Sequence, residues 1–71
     1  MTINPSLRSA LRRIRDAKIP VPARTKARPD GVHHKTIEGL EGRLLIERRG
    51  AGYVATRAGR DLLERLTRLS A

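Results

Sequence analysis

His33 and His34 are the only imidazoles in the chain. Two histidines that grip one metal ion from a helix stand at i and i+4, whereas adjacent residues project about 100° apart and cannot chelate together. Glu38 and Glu41, at i and i+3, form a carboxylate pair of the kind that acid–base catalysis uses. They lie in a basic environment with nothing apolar around them to raise one pKa, so both favour the ionised form and read as a solvated helix face. No serine lies in a Gly-x-Ser-x-Gly context, and Gly50-Ala51-Gly52 lacks the further glycine, lysine and helix start of a phosphate loop. The absence of cysteine removes thiol catalysis, iron–sulfur sites and the usual structural zinc clusters. These residues describe a non-enzyme with no metal site and no cofactor.

What remains is charge. The 71 residues include 16 Lys and Arg against 7 Asp and Glu, a net charge of +9, and the sequence pI is about 11.7. A field of that sign attracts polyanions, nucleic acid before anionic membrane surface. Residues 1–35 hold nine bases and two acids, residues 36–71 seven bases and five acids, so the front half carries the field. Arg8, Arg12 and Arg15 recur at i, i+4 and i+7, while Arg24, Lys26 and Arg28 alternate within a segment rich in proline. No uninterrupted apolar stretch exceeds three residues, as at Leu44–Ile46, against about 20 for a membrane span. A soluble, cytoplasmic protein without a membrane partner is expected. With Tyr53 as the sole aromatic residue there is no stacking platform for single strands, which favours a duplex over RNA.

These side chains need elements to hold them. Asn4 as cap, Pro5 at the first helical position and the spacing of Leu7, Ala10, Leu11 and Ile14 predict a helix over about Pro5–Lys18. Ile19 precedes Pro20 and is pushed towards extended backbone, which ends it. Residues 20–31, with three prolines and alternating bases, read as a loop or a short edge strand. A second helix follows over about Val32–Arg43, with Asp30 as the expected cap. Ile37, Leu40 and Leu44 fall on its inner arc, and His33 joins them. Gly39 and Gly42 lie opposite and offer close approach to a backbone or ligand. Leu45–Arg49 and Tyr53–Thr56, joined by Gly50-Ala51-Gly52, predict a β-hairpin. Thr56 can cap a last helix over Arg57–Leu69, with Leu62, Leu63, Leu66 and Leu69 as its apolar stripe.

The run Gly-Val-His-His-Lys-Thr-Ile-Glu-Gly-Leu-Glu-Gly-Arg-Leu-Leu-Ile-Glu-Arg-Arg resembles the recognition helix and first wing strand of winged helix-turn-helix proteins. Gly-Tyr-Val-Ala-Thr-Arg-Ala-Gly-Arg-Asp-Leu-Leu is similar to the returning wing strand and the Thr-x-x-Gly-x-x-Leu-Leu start of the C-terminal helix in MarR-like and related bacterial or phage regulators. The likeness covers residues 31–69, and the spacing of Thr56, Gly59, Leu62 and Leu63 is its most specific part. Two departures stand out. The segment 20–31 occupies the slot of the usual second helix, and Leu44 stands where a glycine commonly precedes the wing strand. The resemblance implies a single α+β domain over 1–71, a small winged helix of three helices plus a two-stranded β-hairpin wing, with the Pro-rich loop replacing or shortening the usual second helix; the middle segment can alternatively pair as a short strand against the hairpin.

By the same resemblance the protein binds double-stranded DNA as a small transcriptional regulator or architectural factor. His34, Lys35 and Thr36 would reach base edges or phosphates in the major groove, with Lys35 foremost. His33 is either a contact or a core histidine. Arg48 and Arg49 would lie in the wing, where strand alternation lets only one of them face DNA. From the residues themselves, Arg24, Lys26 and Arg28 read either as an arm that lies along a phosphate backbone and orders only on contact, or as a plain linker. A protein-interaction module is the alternative. A homodimer through Leu62, Leu66 and Leu69 would present a second recognition helix one DNA turn away, unless the same leucines are all needed to cover the core.

Overall fold

Asn4 accepts a hydrogen bond from the Leu7 amide at 2.8 Å through Oδ1, and Pro5 follows at the first helical position. From this cap a computed structural model describes residues 4–70. It is an α+β arrangement: α1 (Pro5–Asp16), α2 (His34–Gly42), β1 (Ile46–Arg49), β2 (Gly52–Ala55) and α3 (Arg57–Ser70). The strands form one antiparallel hairpin in which Ile46 pairs Ala55 and Arg49 pairs Gly52. That register leaves a two-residue turn, Gly50–Ala51. Such a turn needs a positive φ to match strand twist, and Gly50 supplies it at 62°.

Leu7, Leu11 and Ile14 of α1 meet Ile37 and Leu40 of α2, Leu45, Ile46 and Ala55 of the hairpin, and Leu62 and Leu63 of α3 in one cluster. Leu11, Leu40 and Leu63 are the largest fully buried side chains, each worth roughly 1.5–3 kcal/mol of burial. No buried polar side chain interrupts the core among the described residues.

α1 stops at Asp16 rather than Lys18, because Ala17 is already extended, with ψ of 138°. The chain is drawn out there to reach β2: the Val21 amide donates to the Tyr53 carbonyl at 3.0 Å, and the Val21 carbonyl accepts from the Tyr53 amide at 2.9 Å. Residue 21 therefore makes an isolated antiparallel bridge beside β2 and adds no third strand, and no helix lies between α1 and α2.

α2 begins two residues later than expected, at His34. Val32 is captured by a parallel bridge with Ala23, its amide donating to Pro22 and its carbonyl accepting from Arg24, which holds it outside the helix. The cap is consequently His33 and not Asp30: His33 Nδ1 accepts from the Lys35 amide at 3.1 Å. His33 is exposed, which removes its reading as a core histidine.

At the other end of α2, the Leu44 amide donates to Glu41 and the Leu45 amide to Leu40, the paired bonds of a Schellman stop. The residue between cap and strand is left-handed, a position glycine usually fills, and here it is Leu44 at φ 60°. Leu44 is 74% exposed instead of lying on the inner arc, and Leu45 takes the core place against Leu40. Side chains, those of Leu7 and Arg43, are what approach Gly39, and nothing lies within 4 Å of Gly42.

Thr56 Oγ1 accepts from the Gly59 amide at 3.1 Å and donates to the Leu44 carbonyl at 2.7 Å, so one hydroxyl caps α3 and ties it to the start of the hairpin. Gly59 lies over Leu45, and a Cβ there would stand 3.1 Å from that carbonyl carbon and closer still to its oxygen. The Thr-x-x-Gly spacing is thus one joint. Leu62 and Leu63 beyond it are buried, Leu66 is half-buried against the core, and Leu69 is 77% exposed. Leu62 therefore belongs mainly to the chain's own core, and the expected dimer stripe loses its first member.

Candidate nucleic-acid interface

Ile37 and Leu40 root α2 in the core and set which residues face out. Lys35 projects opposite them and is exposed, as is His34; Thr36 is half-buried. The His34 ring stacks on that of His33 with centroids 4.4 Å apart. Glu38 and Glu41 are also exposed further along the helix. Carboxylates there repel a polyanion, so the cationic part of α2 is confined to its first turn, where the unpaired amides and helix dipole also favour negative charge.

The Pro-rich segment is a hydrogen-bonded loop that closes on the residues just before that turn. Its base is the Ala23–Val32 bridge, and Arg24 Nε donates to the Gly31 carbonyl at 3.3 Å. Within it Thr25 and Arg28 exchange backbone hydrogen bonds of 3.1 Å, and the Thr25 hydroxyl accepts from the Arg28 amide as well. Lys26 and Ala27 form the tip. Arg24, Lys26 and Arg28 are all exposed, and they emerge from a loop whose closing residue, Val32, precedes the α2 cap.

Arg13 joins this group, its guanidinium donating to the Asp30 carbonyl. It was missed in sequence because attention falls on the Arg8, Arg12 and Arg15 stripe. Arg13 is rotated about 100° from Arg12 on the wheel, on the opposite flank of the buried face, and that offset was the available signal. The stripe is weaker than it reads: Arg15 pairs with Asp16 at 2.8 Å, and its guanidinium holds that carboxyl below the usual aspartate value. Arg8 is half-buried and Arg12 exposed.

On the hairpin the two arginines separate as strand alternation demands. Arg49 shares a face with Glu47 and pairs with it at 3.1 Å. Arg48 is cross-strand from Tyr53, exposed, and makes no ion pair among the described residues.

The convergent chemistry is cationic and hydrogen-bond-donating. The Arg13 and Arg24 side chains are bonded to the carbonyls of Asp30 and Gly31 ahead of α2, Lys26 and Arg28 lie on the same loop, Lys35 opens the helix, and Asp30 is the only acid in residues 17–37. Among the described residues no group of three His, Asp or Glu side chains could hold a metal ion, and no helix is long and apolar enough to cross a membrane. No protein-family model, curated protein or solved structure matches the chain.

Proposed function

We propose that the protein is a duplex-DNA-binding transcriptional regulator that acts as a reduced winged helix, with the first turn of α2 in the major groove and the β1–β2 hairpin as wing. The observation that carries this is the folding of the basic loop onto the α2 entry. The Ala23–Val32 bridge and the Arg24–Gly31 bond close the loop that bears Arg24, Lys26 and Arg28 just ahead of the α2 cap, and Arg13 braces the join at Asp30. Three helices, a hairpin and an extra edge pairing at Val21 are also compatible with that layout.

In this reading the loop does the work of the missing helix. The bridge and the Thr25–Arg28 turn restrict the loop before binding, so less ordering entropy opposes its contact with phosphates than for a disordered arm. Lys35 reaches base edges, and Arg48 supplies the wing contact because Glu47 already neutralises Arg49. The cytoplasm is the compartment such a regulator occupies.

Gel-shift titration against duplex DNA at two salt concentrations, with a single-stranded control, tests the proposal. If four to six phosphates are neutralised, the log–log slope is about −3.6 to −5.4. No duplex binding at ~50 mM salt refutes it and favours a protein-interaction module.

A further inference from the structure

Arg65 stands one helical turn after Asp61, the spacing at which Glu64 and Arg68 form an ion pair, yet it makes no ion pair among the described residues. Both line a groove of about 280 Å³ together with Arg43, Leu45, Ala58 and Leu62. Its floor is aliphatic, and two guanidiniums stand on its rim against one carboxylate. Arg43 donates through Nη1 to the Gly39 carbonyl at 2.8 Å and is likewise without an ion pair among the described residues.

Between Arg43 and Leu45 lies Leu44, 74% exposed and held at a φ of 60°. Glycine adopts that backbone at lower cost, and a side chain so exposed covers little of the chain's own core. The fold gives no reason for a leucine there. The Leu44 carbonyl accepts from the Thr56 hydroxyl at the start of α3, which sets Leu44 at one end of the groove's helical wall. Along that wall Ala58, Leu62, Arg65 and Leu69 follow at intervals of four, three and four, the spacing of a seam for another helix. Leu69, at the far end, is 77% exposed.

We propose that this groove receives an acidic amphipathic helix of a partner protein, its aliphatic side chains against Leu44, Leu62 and Leu69 and its carboxylates towards Arg43 and Arg65. Thr56 to Leu69 spans about 20 Å at 1.5 Å per residue, the length of a partner helix of about 13 residues. Charge selects this occupant. A second copy of the chain carries +9 and is repelled by the same field that attracts an acidic partner. A DNA backbone would pair with the guanidiniums, but it leaves Leu44 and Leu69 in water and sets phosphate against Asp61. None of these residues belongs to the interface proposed for DNA, so the inference does not rest on that reading.

The probe is a synthetic, end-capped peptide of about 14 residues with leucines at i, i+4, i+7 and i+11 and glutamate and alanine elsewhere; its control has the same composition in an order that gathers no leucines on one face. Titrated into the nitrogen-15-labelled full chain at ~150 mM salt, the probe is expected to shift the amide resonances of residues 43–45 and 58–69. The control binds about tenfold more weakly or worse. Ala58→Glu, which fills the floor with another good helix former, and Leu44→Gly, which relaxes the backbone, each raise the dissociation constant about tenfold while circular dichroism stays unchanged. Absence of binding by the probe overturns the proposal, as does a probe that shifts residues 24–35 instead, a control that binds as tightly, or variants that bind like the parent. Self-association of the parent through residues 43–45 and 58–69 also overturns it, since a second copy then fills the groove, and so does duplex DNA that shifts those same resonances.

Discussion

Replacing Gly59 by Ala places one methyl group where α3 crosses the start of the hairpin. In an open helix interior the change stabilises by about 1 kcal/mol, since Ala loses less backbone entropy than Gly. Here the new Cβ meets the Leu11 Cδ1 and the Leu45 carbonyl carbon at 3.1 Å, with the Leu45 oxygen closer. Neither neighbour can give way. Leu11 is fully buried, and the Leu45 backbone is fixed from both sides, donating to Leu40 and accepting from Thr56 at 3.0 Å each. Relief requires α3 to lift off the hairpin, which stretches the Thr56 bond and loosens Leu62 and Leu63.

Overpacking of this kind costs typically 1–3 kcal/mol, and obstruction by backbone puts it towards the upper end, so about 1–2 kcal/mol of net destabilisation survives the helix-propensity gain. For a domain of this size each kcal/mol lowers Tm by roughly 4–8 °C. Urea unfolding followed by far-UV circular dichroism at fixed chain concentration measures it, with Gly42→Ala as control. Nothing lies within 4 Å of Gly42 and its φ is not positive, so that variant gains up to about 1 kcal/mol. A Gly59→Ala protein as stable as the parent, at unchanged m-value, would refute the joint described for Thr56, Gly59 and Leu45.

Leu44→Gly relieves a left-handed residue that buries little, and thermal unfolding should show a gain of about 1 kcal/mol from the backbone. His33→Ala removes the α2 cap and costs about 0.5–2 kcal/mol, whereas His33→Asn keeps an acceptor and much of the stability; equal losses in both would show that Nδ1 does not cap the helix. In competition gel shifts, Lys35→Ala should narrow the preference between DNA sites by roughly 1–3 kcal/mol, and Arg48→Ala should weaken all sequences alike and reduce the salt slope by about 1. Arg49→Ala, losing a cation already paired with Glu47, should do less than Arg48→Ala.

The order helix, loop, helix, hairpin, helix was legible in the chain, because each of those elements announces itself within a few residues. Asn4 with Pro5 and Thr56 with Gly59 are local caps, Gly50 is a local turn, and the aliphatic spacing marks the inward face of α1 and α3. The separation of Arg48 from Arg49 also follows from alternation, but which of the two is paired was decided only by the structure, where Arg49 meets Glu47. Local signals failed wherever a distant segment competed for the same backbone groups. Asp30 is a better cap than His33 by residue type, but Val32 gives its amide and carbonyl to the strand-like stretch around Ala23, and the helix cannot start until that pairing ends. Leu44 fits the helical arc as well as Leu40 does, yet only one of Leu44 and Leu45 can follow a Schellman stop into the core. The sequence by itself determined the elements and the cationic front half. Tertiary structure decided that Arg13 and the Pro-rich loop meet the entry to α2, and that Gly59 must be glycine, because both depend on which backbone atoms lie opposite after the chain has closed on its core.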